Sequence, residues 1–178
     1  MTTNEYLTTP ETVLPAELGF GVLRVAEAPI VRHQRVVRDL TITLTAFAQE
    51  RGLGEVLPAP TDVVLDREQH LVVQPDVLFV TAGRSSIIGD HIEGPPDLVI
   101  EVLSPRPRIG TIEEKVTWYA RYGVRECWLV DLNRREIAVL TCAGGRVQER
   151  TPFGTDQYVQ SRVLPDLRLR PSRVLGWW

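Results

Sequence analysis

A carboxylate stands inside the apolar run LVIEVL, residues 98–103, at Glu101. An ionised acid in a buried strand is costly unless it is paired, protonated or bound to a metal. Strand alternation puts Asp97, Val99 and Glu101 on one face and Leu98, Ile100 and Val102 on the other. A third acid, Asp76, follows Pro75 at the head of the run DVLFV, and it converges on Glu101 if the two strands are neighbours. One further residue draws the eye: of the 20 Lys and Arg side chains only Lys115 is a lysine. A compact ammonium with a shiftable pKa does work that a guanidinium cannot. Two convergent carboxylates completed by water suit magnesium, and a lysine beside them steadies charge developing on a phosphoryl group. Each acid also has a purely structural alternative. Asp76 can cap a turn after proline, Asp97 can close the GPP loop, and Glu101 can pair with an arginine such as Arg121 or Arg125.

The elements that would position these groups are readable from periodicity. Val36, Leu40, Leu44, Phe47 and Ala48 recur at helical spacing before Gly52, which predicts a long amphipathic helix. EVLPAPTDVVLD and HLVVQPDVLFV read as strands of a hairpin, followed by the loop TAGRSSIIGDHIEGPP. The near-continuous apolar run DLVIEVLS predicts a strand covered on both faces. Thr111 and Glu114 have capping-box spacing and Gly123 a stop position, so residues 112–122 are expected to be helical, with Lys115 half-buried beside Ile112, Trp118 and Tyr119. ECWLVD is a second buried strand, and EIAVLTCA and RVQER pair across the turn at Gly144 and Gly145. The tail after residue 160 reads as a short strand and a loose end. Strand, helix, strand from 97 to 131 has the composition of a right-handed crossover unit. The expectation is one α/β (α+β) domain over 1–178 with a central mixed β-sheet flanked by helices, residues 1–13 and 171–178 being peripheral.

Composition sets the class. With 43% hydrophobic and 24% charged residues in 178, the chain is that of an ordinary globular protein. The start MTTNEYLTTPETVLP lacks a basic region and an apolar stretch, and no run approaches a bilayer span, so the expected address is the cytoplasm with no membrane partner. Cys127 and Cys142 lie in strand-like runs without ligand spacing and read as free thiols. The net charge of -3 conceals an asymmetry: residues 1–100 carry 7 cations and 14 anions, residues 101–178 carry 13 and 9. A basic face is therefore possible.

QPDVLFV, GPPDLVIEVLSP and EEKVTWYARYGVRECWLVD resemble the successive motifs of the Uma-two family of restriction endonucleases, within the PD-(D/E)xK nuclease superfamily. The resemblance spans roughly residues 14 to 170 and is most specific over 94–131. It implies a restriction-endonuclease-like fold and hydrolysis of DNA phosphodiester bonds with Mg2+, or Mn2+ in its place. By motif, Pro75 and Asp76 are the "PD" and Glu101 the acid of "(D/E)xK". Leu103 stands where that pattern has lysine, so the resemblance moves the lysine role to the following helix, where Lys115 can take it. The implied catalytic set is Asp76, Glu101 and Lys115, with Asp97 behind them; Asp76, Glu101 and the Val102 carbonyl would hold metal. Glu17, four residues before Gly21, is similar to the family's acid-x-x-x-glycine element and would assist. His33, at the head of the long helix, and Arg106 and Arg108 in SPRPRIG would contact DNA, and Ser104 would hydrogen-bond the site. The alternative is an inactive nucleic-acid-binding or protein-interaction module on the same fold. The apolar end VLGWW could dock on its own chain or join a homodimer.

Overall fold

The computed structural model describes residues 1–10, 15–25, 28–103 and 111–176. Its elements in chain order are α1 (Thr3–Thr8), β1 (Ala16–Gly19), β2 (Val22–Val25), α2 (Val31–Arg51), β3 (Gly54–Pro58), β4 (Val63–Asp66), β5 (Leu71–Val73) and β6 (Val77–Thr81). A 3-10 turn at Ala82–Ile87 leads to β7 (Ile92–Glu93), β8 (Leu98–Val102), α3 (Ile112–Tyr122), β9 (Glu126–Asp131), β10 (Glu136–Ala143), β11 (Arg146–Phe153) and α4 (Pro171–Leu175). No helix among the described residues is long and apolar enough to cross a membrane.

The fold class is the expected mixed α/β, but the strands divide into two mixed sheets instead of one. The larger has the order β11-β10-β9-β8-β6-β3, the smaller β2-β1-β5-β4-β7. The expected hairpin is therefore corrected to two nested pairs. β4 and β5 pair antiparallel in the small sheet, while β3 and β6, which bracket them in sequence, pair antiparallel in the large one. The stretch read as a loop after β6 also carries β7, which runs parallel to β4. Among the described residues, the only parallel pair of the large sheet is β8 with β9, joined through α3 as a crossover.

Both faces of the large sheet are apolar because its central strands are covered twice, so β8 has all five residues buried. On one face Leu98, Ile100, Val102, Trp128 and Val130 pack with Val36, Leu40 and Leu44 of α2. On the other, Val99, Cys127 and Leu129 pack with Val116, Trp118 and Tyr119 of α3 and with Val63, Leu71 and Val73 of the small sheet. α3 begins on the expected capping box, Thr111 with Glu114, and ends at Gly123, whose φ of 101° is unstrained only for glycine. Each large apolar side chain that α3 buries is worth roughly 1.5–3 kcal/mol. Gly54 serves close approach: a Cβ there would lie 2.1 Å from the Val80 carbonyl oxygen, obstructing the β3–β6 pair.

The chain end departs from expectation. Val159, Leu164, Leu167, Leu169, Val174 and Leu175 join the core under α2, so residues 171–175 form a packed helix and not a loose end. Glu126, fully buried in β9, fastens this segment by accepting from the Ser161 hydroxyl and the Arg162 N–H. The apolar end thus docks on its own chain as far as Leu175, and the last two tryptophans lie outside the described residues.

Candidate active site

Strand register creates the site. β6 and β8 run antiparallel with Val77 opposite Ile100, so the next pair outward sets Asp76 opposite Glu101. Directly opposed residues on one face have Cβ atoms about 4.5–5.5 Å apart. Asp76 is fixed at both oxygens: Oδ2 accepts the Val102 N–H at 2.7 Å, and Oδ1 lies 3.0 Å from His33 Nε2 on the first turn of α2. Just before it the chain crosses from the small sheet to the large one through Gln74 and Pro75. The Gln74 N–H donates to Glu17 Oε1 on β1 at 2.8 Å, which draws an acid of the small sheet to the same place.

Lys115 closes the cluster from α3. Its Nζ lies 2.8 Å from Glu17 Oε1 and 2.7 Å from Glu101 Oε1, and all three side chains are buried. Burial alone would favour loss of the lysine proton, but the Glu101 and Glu17 carboxylates outweigh it and hold the ammonium pKa above its ordinary value. Lys115 is therefore a fixed positive charge and not a base. Burial pushes the Glu101 carboxyl up to about 7, against the attraction of Lys115 and with the repulsion of Asp76 and Glu17 adding to the rise. The His33 imidazole is pulled down by burial and up more strongly by its Asp76 partner, for a net rise. Tyr119 donates its hydroxyl to Glu101 Oε1 at 2.5 Å. Glu17 Oε2 and Gln74 Oε1 are buried without hydrogen-bond partners.

Five of the residues singled out from sequence thus meet: Glu17, His33, Asp76, Glu101 and Lys115, with Val102 joining through its N–H. Three assignments change. Lys115 is buried, not half-buried, because two acids rather than one await it. His33, expected as a DNA contact, is held through Nε2 by Asp76 and is a partner of that acid. Asp97 does not reach the cluster: four residues of strand, about 13 Å at 3.3 Å each, separate it from Glu101. Its fully buried carboxylate instead accepts from the Thr81 N–H and hydroxyl at 2.8 and 2.9 Å and pairs with Arg84 at 3.1 Å and Arg125 at 3.2 Å. Burial would raise the Asp97 carboxyl, but these donors together hold it below the usual aspartate value. Ser104, Arg106 and Arg108 lie outside the described residues. Tyr119 and Gln74 were missed. Tyr119 sits four residues after Lys115 on one helix face, a spacing visible in the sequence but indistinguishable there from plain core packing.

The donor chemistry suits a hard cation. Asp76, immediately before β6, is held at the Glu101 end of β8 by the Val102 N–H, and the buried, unpartnered Glu17 oxygen is the condition that a cation or water relieves. Among the described residues no three His, Cys, Asp or Glu side chains are grouped to hold a metal on their own. A hard cation held here would keep waters or substrate oxygens among its ligands.

Two mixed sheets bring the acids and a buried lysine together in a mixed α/β protein. The chain belongs to the Uma2 family, described as "Putative restriction endonuclease", whose model matches residues 3–172. Its fold is similar to the crystal structure of "a putative nuclease belonging to DUF820" from Anabaena variabilis, at 18% identity and a TM-score of 0.85, covering 99% of this chain and 98% of that one. No curated protein matches the chain.

Proposed function

We propose that the chain is a magnesium-dependent endonuclease that hydrolyses DNA phosphodiester bonds, with manganese able to replace magnesium. The observation that carries the reading is the single cluster in which Asp76 opposes Glu101 while Lys115 bonds Glu101 and Glu17. Asp76, Glu101 and the Val102 carbonyl are the groups that would hold the metal. The chemistry such an ion would supply there is polarisation of the phosphate and activation of a water.

The protein's own residues do the rest. Lys115, kept protonated between two acids, stabilises the extra negative charge on phosphorus oxygens. Glu17 and the Gln74 N–H restrain where that ammonium can point. His33 and the Val102 N–H lock both Asp76 oxygens, so the carboxylate enters the reaction in a fixed orientation. Arg106 and Arg108, a few residues beyond Glu101 in sequence, are suited to clamping the DNA backbone.

The test is incubation of purified protein with supercoiled plasmid, single-stranded DNA and RNA across Mg2+ and Mn2+ titrations, with EDTA controls. Metal-dependent nicking or linearisation of DNA is the expected result. Salt-sensitive DNA binding without cleavage under any metal would overturn the reading in favour of an inactive binding module.

A further inference from the structure

We propose that Tyr119 is a positioning residue that decides which oxygen of Glu101 is offered to the metal. The inference rests on the metal-binding reading above and goes beyond it to the geometry of one ligand. Tyr119 is fully buried, with its ring packed in the cluster between α3 and the large sheet. Its hydroxyl has one proton to give, and it gives it to Glu101 Oε1 at 2.5 Å. Lys115 Nζ approaches the same oxygen at 2.7 Å. The phenol proton takes one of the two lone-pair sites of Oε1, and the ammonium, ion-paired at that same oxygen, crowds the rest of it. A cation taken by Glu101 without dismantling this arrangement must come through Oε2, as a one-oxygen contact.

One helix turn delivers both donors, since Lys115 and Tyr119 are i and i+4 on α3. The lysine is shared with Glu17 and can shift between the two acids. The phenol is not shared: its hydroxyl donates to Glu101 Oε1, and its ring, with only two torsions, is fully buried. Tyr119 is thereby the donor that keeps Oε1 occupied when substrate charge draws Lys115 away.

Two experiments test this. Mn2+ binding is titrated by electron paramagnetic resonance for wild type and Tyr119→Phe, alongside thermal melts. The variant is expected to bind Mn2+ about tenfold more weakly, the usual scale for losing a group that orients a ligand. An unchanged Mn2+ affinity with only a lowered melting temperature would make Tyr119 a packing residue and overturn the proposal. The second experiment needs no variant: anomalous scattering from wild-type crystals soaked in Mn2+ should place the ion on Glu101 Oε2 with the Tyr119 hydroxyl still on Oε1. An ion on Oε1, or on both oxygens, refutes the assignment. Wild-type protein that takes up no Mn2+ fails at the earlier step and removes the metal reading and this inference together.

Discussion

Replacing Lys115 by methionine keeps most of the unbranched side chain and deletes the charge, leaving Glu17 and Glu101 buried together without a cation. Lys115 is only 8% exposed, so solvent screening does little to soften the loss. Breaking a buried pair by removing one partner costs about 3–5 kcal/mol. The cost must also depend on pH. The Glu101 carboxyl titrates at about 7 in the folded protein against an ordinary 4.5, and its contribution to stability is full below that ordinary value and lost as pH rises through the folded one. Without the attraction of Lys115 the folded value climbs further. Above neutrality the folded variant then retains a proton that folded wild type has released, and both unfolded chains have lost it. The gap between the proteins should widen by about 1.4 kcal/mol for each pH unit above 7. Urea unfolding at pH 6 and pH 8, followed by tryptophan fluorescence and fitted for midpoint and slope, measures both numbers. Lys115→Arg is the control, because it keeps the charge and incurs only an overpacking cost of about 1–3 kcal/mol that is the same at both pH values. A Lys115→Met gap inside the range of exposed ion pairs, about 1 kcal/mol or less, would refute the reasoning. So would a gap equal at pH 6 and pH 8.

Other outcomes follow from the same geometry. The His33 and Glu101 pKa values are both raised, so both stabilising contributions are lost as pH climbs through neutrality, and the wild-type urea midpoint should be higher at pH 5 than at pH 8. The Asp97 carboxyl is lowered, so its contribution is present above its ordinary value of 3.8 and disappears only in stronger acid. Asp97→Ala, which strands the Thr81, Arg84 and Arg125 donors, should cost about 2–3 kcal/mol in urea unfolding while metal-dependent cleavage by the folded variant is unchanged. Leu175→Ala should cost about 2–5 kcal/mol and lower the melting temperature, as expected of a core position and not of a loose end.

The sequence was legible where short-range rules decide the structure. The α3 boundaries follow from Thr111, Glu114 and Gly123, and the α2 stripe from Val36 to Ala48 ends at Gly52 as its spacing implies. The unbroken apolar run around Glu101 announced a strand buried on both faces, and that made its acid conspicuous. The nested pairing of β3 with β6 around β4 and β5 was not legible, because short strands separated by turns offer several partners and only long-range packing selects one. The tail misled for a similar reason: RVLPDLRLR alternates like a strand, yet Leu164, Leu167 and Leu169 insert singly into the core beneath α2. At the site, the lone lysine and the misplaced glutamate were visible as oddities of type. Asp97 shared the face of Glu101 but not its end of the strand, and alternation carries no information about which end a ligand uses. Tyr119 was hidden because a tyrosine on an apolar stripe looks the same whether or not its hydroxyl meets a carboxylate.

The most direct test of the central claim is single-turnover cleavage of plasmid DNA by wild type and Glu101→Gln, at saturating Mg2+, with circular dichroism to establish that both are folded. Glutamine keeps the shape of the side chain and an oxygen for Tyr119 while removing the negative charge. The account predicts that the wild-type rate requires metal and that the variant is slower by more than about 100-fold, beyond the span seen for groups that merely orient a ligand. A folded Glu101→Gln protein that cleaves at the wild-type rate with the same metal requirement would contradict it.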